Sequence, residues 1–132
     1  MIIAYSTEVM LKRWPISNIV LILLCVAVVF AAAGLSEDVI DVLVLNDWSL
    51  GSLIGYQFLH GGFLHLVFNM LYLWVFGNAV CERIGNVAHG LVFIATGVLA
   101  GVVHNIFDGT PAVGASGAIN GIIGLYPALT HE

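Results

Sequence analysis

Charge is the scarcest feature of this sequence: only 8% of its 132 residues are Asp, Glu, Lys or Arg, against roughly a quarter in an ordinary soluble domain. Three basic residues in all provide no electrostatic basis for binding nucleic acid, so DNA- and RNA-binding functions are excluded. There are only two cysteines, Cys25 within an apolar run and Cys81 near the end of another. Neither has the pattern of a disulfide framework or a zinc cluster.

The chain is rich in apolar residues, many of them in long runs. Hydrophobic residues make up 61% of it, a share that indicates a membrane protein. We therefore predict an all-α fold, a polytopic membrane helical bundle, with a cytoplasmic leader at residues 1–15 and one transmembrane domain at 16–132. Its spans are expected at about 16–34, 63–80, 87–103 and 116–130.

The segment between the first two spans, residues 35–56, mixes half of all the acidic residues with apolar ones and Trp48. This composition is typical of a loop or helix that lies at the membrane surface.

Orientation follows from the basic residues near the span ends. Lys12 and Arg13 precede the first span and Arg83 follows the second, so the rule that positive charge stays inside places the N-terminus in the cytoplasm. The start of the second span and the start of the fourth then both face the outer side.

The fourth span starts with a small-residue elbow, Gly114-Ala115-Ser116-Gly117-Ala118. A helix N-terminus gathers free N–H groups and the positive end of the helix dipole, so an oxyanion formed by attack of Ser116 on a carbonyl would be stabilised there. The structural alternative is that Ser116 merely caps a tightly packed helix.

Two polar side chains lie at helical spacing in the second span. His65 and Asn69 are four residues apart, so they share one face of a helix. Polar groups inside a membrane either bridge helices or serve a site. A metal site is less favoured, because no Asp or Glu joins the histidines and Asn is a poor zinc ligand.

These motifs together resemble the rhomboid family of intramembrane serine proteases. The resemblance rests on the stretch from His60 to Met70, on Phe76-Gly77-Asn78 with Arg83 and Gly85, and on the elbow around Ser116. It implies that Ser116 is the nucleophile and that the Ser116 N–H, His65 and Asn69 form the oxyanion hole, with a structural role for His60. It also implies an acyl-enzyme, no cofactor, and substrates that are transmembrane segments of other proteins in the lipid bilayer.

Three departures from the family pattern qualify the resemblance. Rhomboids take the general base, a histidine, from the sixth core helix, and this sequence ends in its fourth, so we expect an inactive N-terminal fragment. Within this sequence His131 lies about 22 Å along the helix from Ser116, too far for a hydrogen bond. His104 is the alternative base. Cys81 occupies the usual acidic position after Phe-Gly. Gly51-Ser52 stand where a Trp-Arg pair is common.

Two other functions remain open. A pseudoprotease would bind transmembrane helices without cleaving them, and a small channel subunit would use His65, Asn69 and His104 as a polar path. In the isolated chain we expect the small-residue face formed by Gly117, Gly121 and Gly124 to meet lipid. The chain would then pack loosely or form a homo-oligomer.

Overall fold

The computed structural model describes residues 14–130 of the chain. This part folds into six helices: α1 (Ile16–Ala32), α2 (Glu37–Leu43), α3 (Leu50–Gly55), α4 (Phe63–Ile84), α5 (Asn86–Phe107) and α6 (Ser116–Thr130). A 3₁₀ turn, Tyr56–Phe58, precedes α4, and α4 contains a π-helical turn, Leu73–Gly77. Across residues 14–130 the only β-type pairing is an isolated bridge between Leu45 and Ala112. The prediction of an all-α membrane bundle is confirmed.

Two helices of the described part are long and apolar enough to cross a membrane. α4 and α5 have 22 residues each, or about 33 Å of helix. Gly85 joins them with φ +90°, a conformation that favours glycine, and allows the chain to reverse at once. Leu64, Trp74 and Leu91 project from these helices with more than half of their surface exposed. Such a surface suits lipid, and the protein is an integral membrane protein.

The acid-rich segment forms the two short helices α2 and α3. Glu37 and Asp38 lie in the first turn of α2, where negative charge complements the helix dipole. Ser49 caps α3 by accepting a hydrogen bond from the Ser52 N–H. Two short helices therefore occupy the region expected to form a loop or a helix, and its position at the membrane surface stays a prediction.

α6 packs mainly against α5. A methyl group added at Gly117 would lie 2.5 Å from Ala100 Cβ, and one added at Gly121 would lie 2.6 Å from Thr96 Cβ. Both glycines therefore let α5 and α6 approach closely. The expectation that this face meets lipid is wrong for Gly117 and Gly121, whereas Gly124 is open.

The π turn of α4 is held by a side chain of α1. The Asn18 Nδ2 donates to the Leu73 carbonyl at 2.9 Å and to Asn78 Oδ1 at 2.8 Å, and Asn18 is fully buried. A π turn displaces the usual helical hydrogen bonds. The Asn78 N–H bonds to the Trp74 carbonyl and not to the Leu73 carbonyl. Asn18 therefore provides a donor for the Leu73 carbonyl, and Gly77 leaves the space for its amide.

A second polar group ties the end of α4 to the starts of α1 and α5. Cys81, which stands at the family's acidic position, is buried and donates from Sγ to Asn86 Oδ1 at 3.2 Å. The same oxygen accepts from the Ser17 N–H at 2.8 Å, and the Ser17 hydroxyl lies 3.1 Å from His89 Nδ1. A thiol thus makes the structural contact at this position.

Candidate active site

The elbow before α6 is held by backbone contacts to the segment that precedes α4. The Gly114 N–H donates to the Tyr56 carbonyl at 2.8 Å, and Leu45 and Ala112 exchange hydrogen bonds of 2.9 and 3.0 Å. Gly114 has φ +116°, which other residues rarely adopt. α6 begins two residues later, at Ser116, where a short polar residue is favoured at a helix start.

His65 and Ser116 both lie next to Gly114. A methyl group at Gly114 would lie 2.7 Å from His65 Cε1, 3.1 Å from His65 Nε2 and 3.7 Å from Ser116 Oγ. The missing side chain of Gly114 therefore leaves the space in which the imidazole and the hydroxyl come close. Both side chains are exposed, so a substrate can reach them.

His60 contacts both His65 and the elbow. Its ring meets the His65 ring edge-on, with centroids 5.1 Å apart, and its Nε2 accepts a long hydrogen bond of 3.4 Å from the Ala115 N–H. Burial, with a smaller contribution from the charge of His65, lowers the pKa of His60 from 6.5 to about 4. His60 is therefore neutral near pH 7, the form in which Nε2 can accept.

Asn69 and Ser116 line the same cavity, which lies between α4 and α6. It has a volume of about 350 Å³ and is bordered by Asn69, Tyr72, Ser116, Ile119, Asn120 and Ile123. The Asn69 side chain is 9% exposed, and its Nδ2 has no hydrogen-bond partner within residues 14–130. A buried amide donor without a partner is costly, so it is available to a ligand in the cavity.

The sequence motifs thus correspond to one spatial cluster of Ser116, His65, Asn69 and His60. The structure adds Tyr56, whose hydroxyl donates to the Gly97 carbonyl at 2.6 Å, and Asn120, which lines the cavity. The signal that could have identified Asn120 was present in the sequence, since it is the only amide in an otherwise apolar segment. Tyr56 had no such signal, because aromatic residues are common throughout the chain.

Two other histidines of the described part have partners of their own. His104 is in the last turn of α5, and its Nε2 is 2.7 Å from the Thr110 carbonyl. His89 contacts Ser17 near the start of α1, and His131 lies outside the described residues. Among residues 14–130, no group of three or more His, Cys, Asp or Glu side chains could hold a metal ion.

Comparison with known proteins gives the same family as the motifs. The family model described as the Rhomboid domain matches residues 47–131. The rhomboid protease GluP of Bacillus subtilis (strain 168) is 41% identical over 76 residues, which cover 56% of this chain and 15% of GluP. The rhomboid proteases GlpG of Salmonella choleraesuis (strain SC-B67) and of Salmonella typhi are each 27% identical over 121 residues, covering 86% of this chain and 43% of GlpG.

The chain therefore spans less than half the length of these curated relatives. The family match nevertheless includes both helices that carry the site, α4 and α6, together with the elbow between α5 and α6. Because this match covers more than half of the sequence, the chain belongs to the rhomboid family.

Proposed function

We propose that the protein is a rhomboid-type intramembrane serine endopeptidase in which Ser116 is the nucleophile. One observation carries this proposal. Three groups from two helices, the Ser116 hydroxyl, the His65 imidazole and the unpartnered Asn69 amide donor, meet at Gly114 and the adjoining cavity. A binding protein without chemistry has no need for all three groups.

In this mechanism the Ser116 Oγ attacks the carbonyl carbon of a substrate peptide bond. The negative charge that develops on the carbonyl oxygen is stabilised by the Ser116 N–H, His65 Nε2 and Asn69 Nδ2, an oxyanion hole built at a helix N-terminus. The C–N bond then breaks, the amine leaves with the proton that the hydroxyl released, and water hydrolyses the acyl-enzyme.

The general base is proposed to be a histidine on a later core helix, as the family pattern implies, outside this sequence. Among the histidines of the described part, His60 accepts from the Ala115 N–H and His104 is close to the Thr110 carbonyl. A nucleophilic serine requires a base within hydrogen-bond reach. The 132-residue chain alone is therefore proposed to be inactive.

The substrates are proposed to be transmembrane segments of other membrane proteins, cleaved near the outer surface, with the N-terminus of the enzyme in the cytoplasm. The exposed apolar residues of α4, such as Leu64, Phe68 and Leu71, suit contact with such a segment or with lipid. For the isolated chain, the same surface and the open Gly124 offer a route to a homo-oligomer.

The test uses the full-length protein in liposomes with a transmembrane model substrate. Ser116→Ala should abolish cleavage and labelling by a fluorophosphonate. His65→Ala and Asn69→Ala should each lower kcat by roughly 10² to 10³. Asn105→Ala is the matched control, because it removes an amide that bonds to the Asp47 carbonyl at 2.8 Å, outside the cavity. Cleavage that survives Ser116→Ala would refute the proposal, and a wild-type protein that binds the substrate without cleavage or labelling would be a pseudoprotease.

A further inference from the structure

Asn120 is the polar residue of the cavity that the proposed mechanism does not use. It is exposed, it lies one helical turn after Ser116, and it lines the cavity together with Ser116 and Asn69. No hydrogen bond to another residue in the range 14–130 involves its side chain. A free amide on an apolar membrane helix is costly, which makes it a candidate for ligand contact.

The neighbours of Asn120 on α6 define the chemistry of the cavity. Ile119 and Ile123 contribute only apolar side chains to it. Its two carboxamide groups are those of Asn69 and Asn120. An amide side chain can donate and accept at once. The ligand that matches this pair of functions is another amide, such as a peptide bond.

A substrate helix must unwind before its backbone can enter the site. Unwinding leaves peptide N–H and C=O groups without partners in a region of low dielectric constant, where each lost hydrogen bond is costly. We infer that Asn120 binds one of these backbone amides and so helps to hold the substrate open beside Ser116. This inference rests on the proposed protease function.

The position of Asn120 indicates which peptide group it contacts. Asn120 is four positions after Ser116, a rise of about 6 Å along α6. An extended chain advances about 3.3 Å per residue. For a substrate segment that runs extended alongside α6, the amide that Asn120 binds then lies about two residues from the scissile bond.

The experiment compares Asn120→Ala with wild type in the full-length protein, on a transmembrane model substrate and on versions in which one backbone amide is replaced by an ester. Asn120→Ala should lower kcat/KM on the all-amide substrate about two- to tenfold, as expected for one hydrogen bond. One ester, two residues from the scissile bond, should remove most of the difference between wild type and variant. Gly124→Ala is the control, because Gly124 lies on the same helix and an added methyl there meets no atom of residues 14–130 within 4 Å.

Three outcomes would overturn the inference: no change in kcat/KM, the same loss on every ester substrate, or a loss accompanied by a shift of the acidic limb of the pH profile. The last would mean that Asn120 acts through the general base. Ser116→Ala separates this inference from the proposed function, since cleavage that persists without the hydroxyl refutes the protease itself. If Ser116→Ala is inert and Asn120→Ala behaves like wild type, only the role of Asn120 fails.

Discussion

The Tyr56 carbonyl accepts a hydrogen bond from the Gly114 N–H at 2.8 Å, while the Tyr56 hydroxyl donates to the Gly97 carbonyl at 2.6 Å. One residue thus connects three parts of the chain: the segment before α4, the middle of α5 and the elbow before α6. Tyr56 is 5% exposed, so its hydrogen bonds are protected from water. The position of the elbow, and with it that of Ser116, depends on this connection.

Tyr56→Phe should therefore destabilise the protein by about 1 kcal/mol, the usual net contribution of one buried hydrogen bond. In the full-length protein it should also slow fluorophosphonate labelling of Ser116, because the elbow loses one support. Thermal unfolding in detergent and the labelling rate measure the two effects. Tyr72→Phe is the control for stability, since the Tyr72 ring is half exposed. Equal unfolding temperatures for the two variants would contradict the role given to the Tyr56 hydroxyl.

Gly114→Ala should disrupt the site directly, because Gly114 is next to both His65 and Ser116. The new methyl group would lie 2.7 Å from His65 Cε1, and φ +116° disfavours any residue with a Cβ. In the full-length protein we expect a loss of Ser116 labelling of at least tenfold. Gly62→Ala is the matched control, because Gly62 has an extended backbone and, in the described part of the chain, nothing lies within 4 Å of an added methyl. If both variants label at the wild-type rate, His65 does not need this space.

Stability should fall as the pH is lowered through the range in which His60 titrates. The pKa of His60 is about 4 in the folded protein and 6.5 ordinarily, so between these values the unfolded chain binds more protons than the folded one. Folding is then progressively disfavoured from about pH 6.5 down to about pH 4. Protonated Nε2 also cannot accept the Ala115 N–H.

His60→Gln isolates this effect, because glutamine offers an acceptor but does not titrate. The unfolding midpoints of the variant and the wild type are followed in detergent from pH 7 to pH 4. Over this range the midpoint of the variant should fall less steeply than that of the wild type. Carboxylates titrate equally in both proteins and cancel in the comparison. Parallel profiles would show that His60 is already protonated or accessible in the folded state.

Gly77 and Asn18 should behave as an energetically coupled pair. Gly77→Ala places a methyl group against the Asn18 amide, and overpacking of this kind costs about 1–3 kcal/mol. Asn18→Ala removes the donor to the Leu73 carbonyl and should cost about 1–3 kcal/mol. The double variant should lose less than the sum, since the smaller side chain makes room for the methyl.

Unfolding of the four proteins in detergent measures this coupling. Gly124→Ala serves as the control for a glycine replaced within a helix, because an added methyl there meets none of the described residues within 4 Å. It should be neutral or slightly stabilising. Additive losses for Gly77→Ala and Asn18→Ala would mean that the two residues are not energetically coupled.

Local sequence signals predicted much of the helical architecture. The apolar run that begins at Phe63 forms α4, and the small-residue elbow ends where α6 begins, at Ser116. The spacing of His65 and Asn69 placed both on one helix. These features depend on hydrophobicity, glycine and helix periodicity over a few neighbouring residues, which a sequence displays directly.

Contacts between distant residues had no comparable signal. Nothing in the pattern around His60 indicates that its Nε2 accepts from the Ala115 N–H, 55 residues later. The π turn was equally hidden, because it depends on the Asn18 amide reaching the Leu73 carbonyl from another helix. The small-residue face of α6 was visible in the sequence, but its partner, α5, was not.

By itself the sequence determined that this is a helical membrane protein with a serine at a helix start and a histidine and an asparagine one turn apart, because composition and short-range spacing specify these properties. Only the tertiary structure decided that Gly114 brings His65 and Ser116 together, that Tyr56 ties the elbow to α5, and that Asn120 shares the cavity with Asn69. The physical reason is that packing between helices, unlike hydrophobic periodicity, depends on residues that are far apart in the chain.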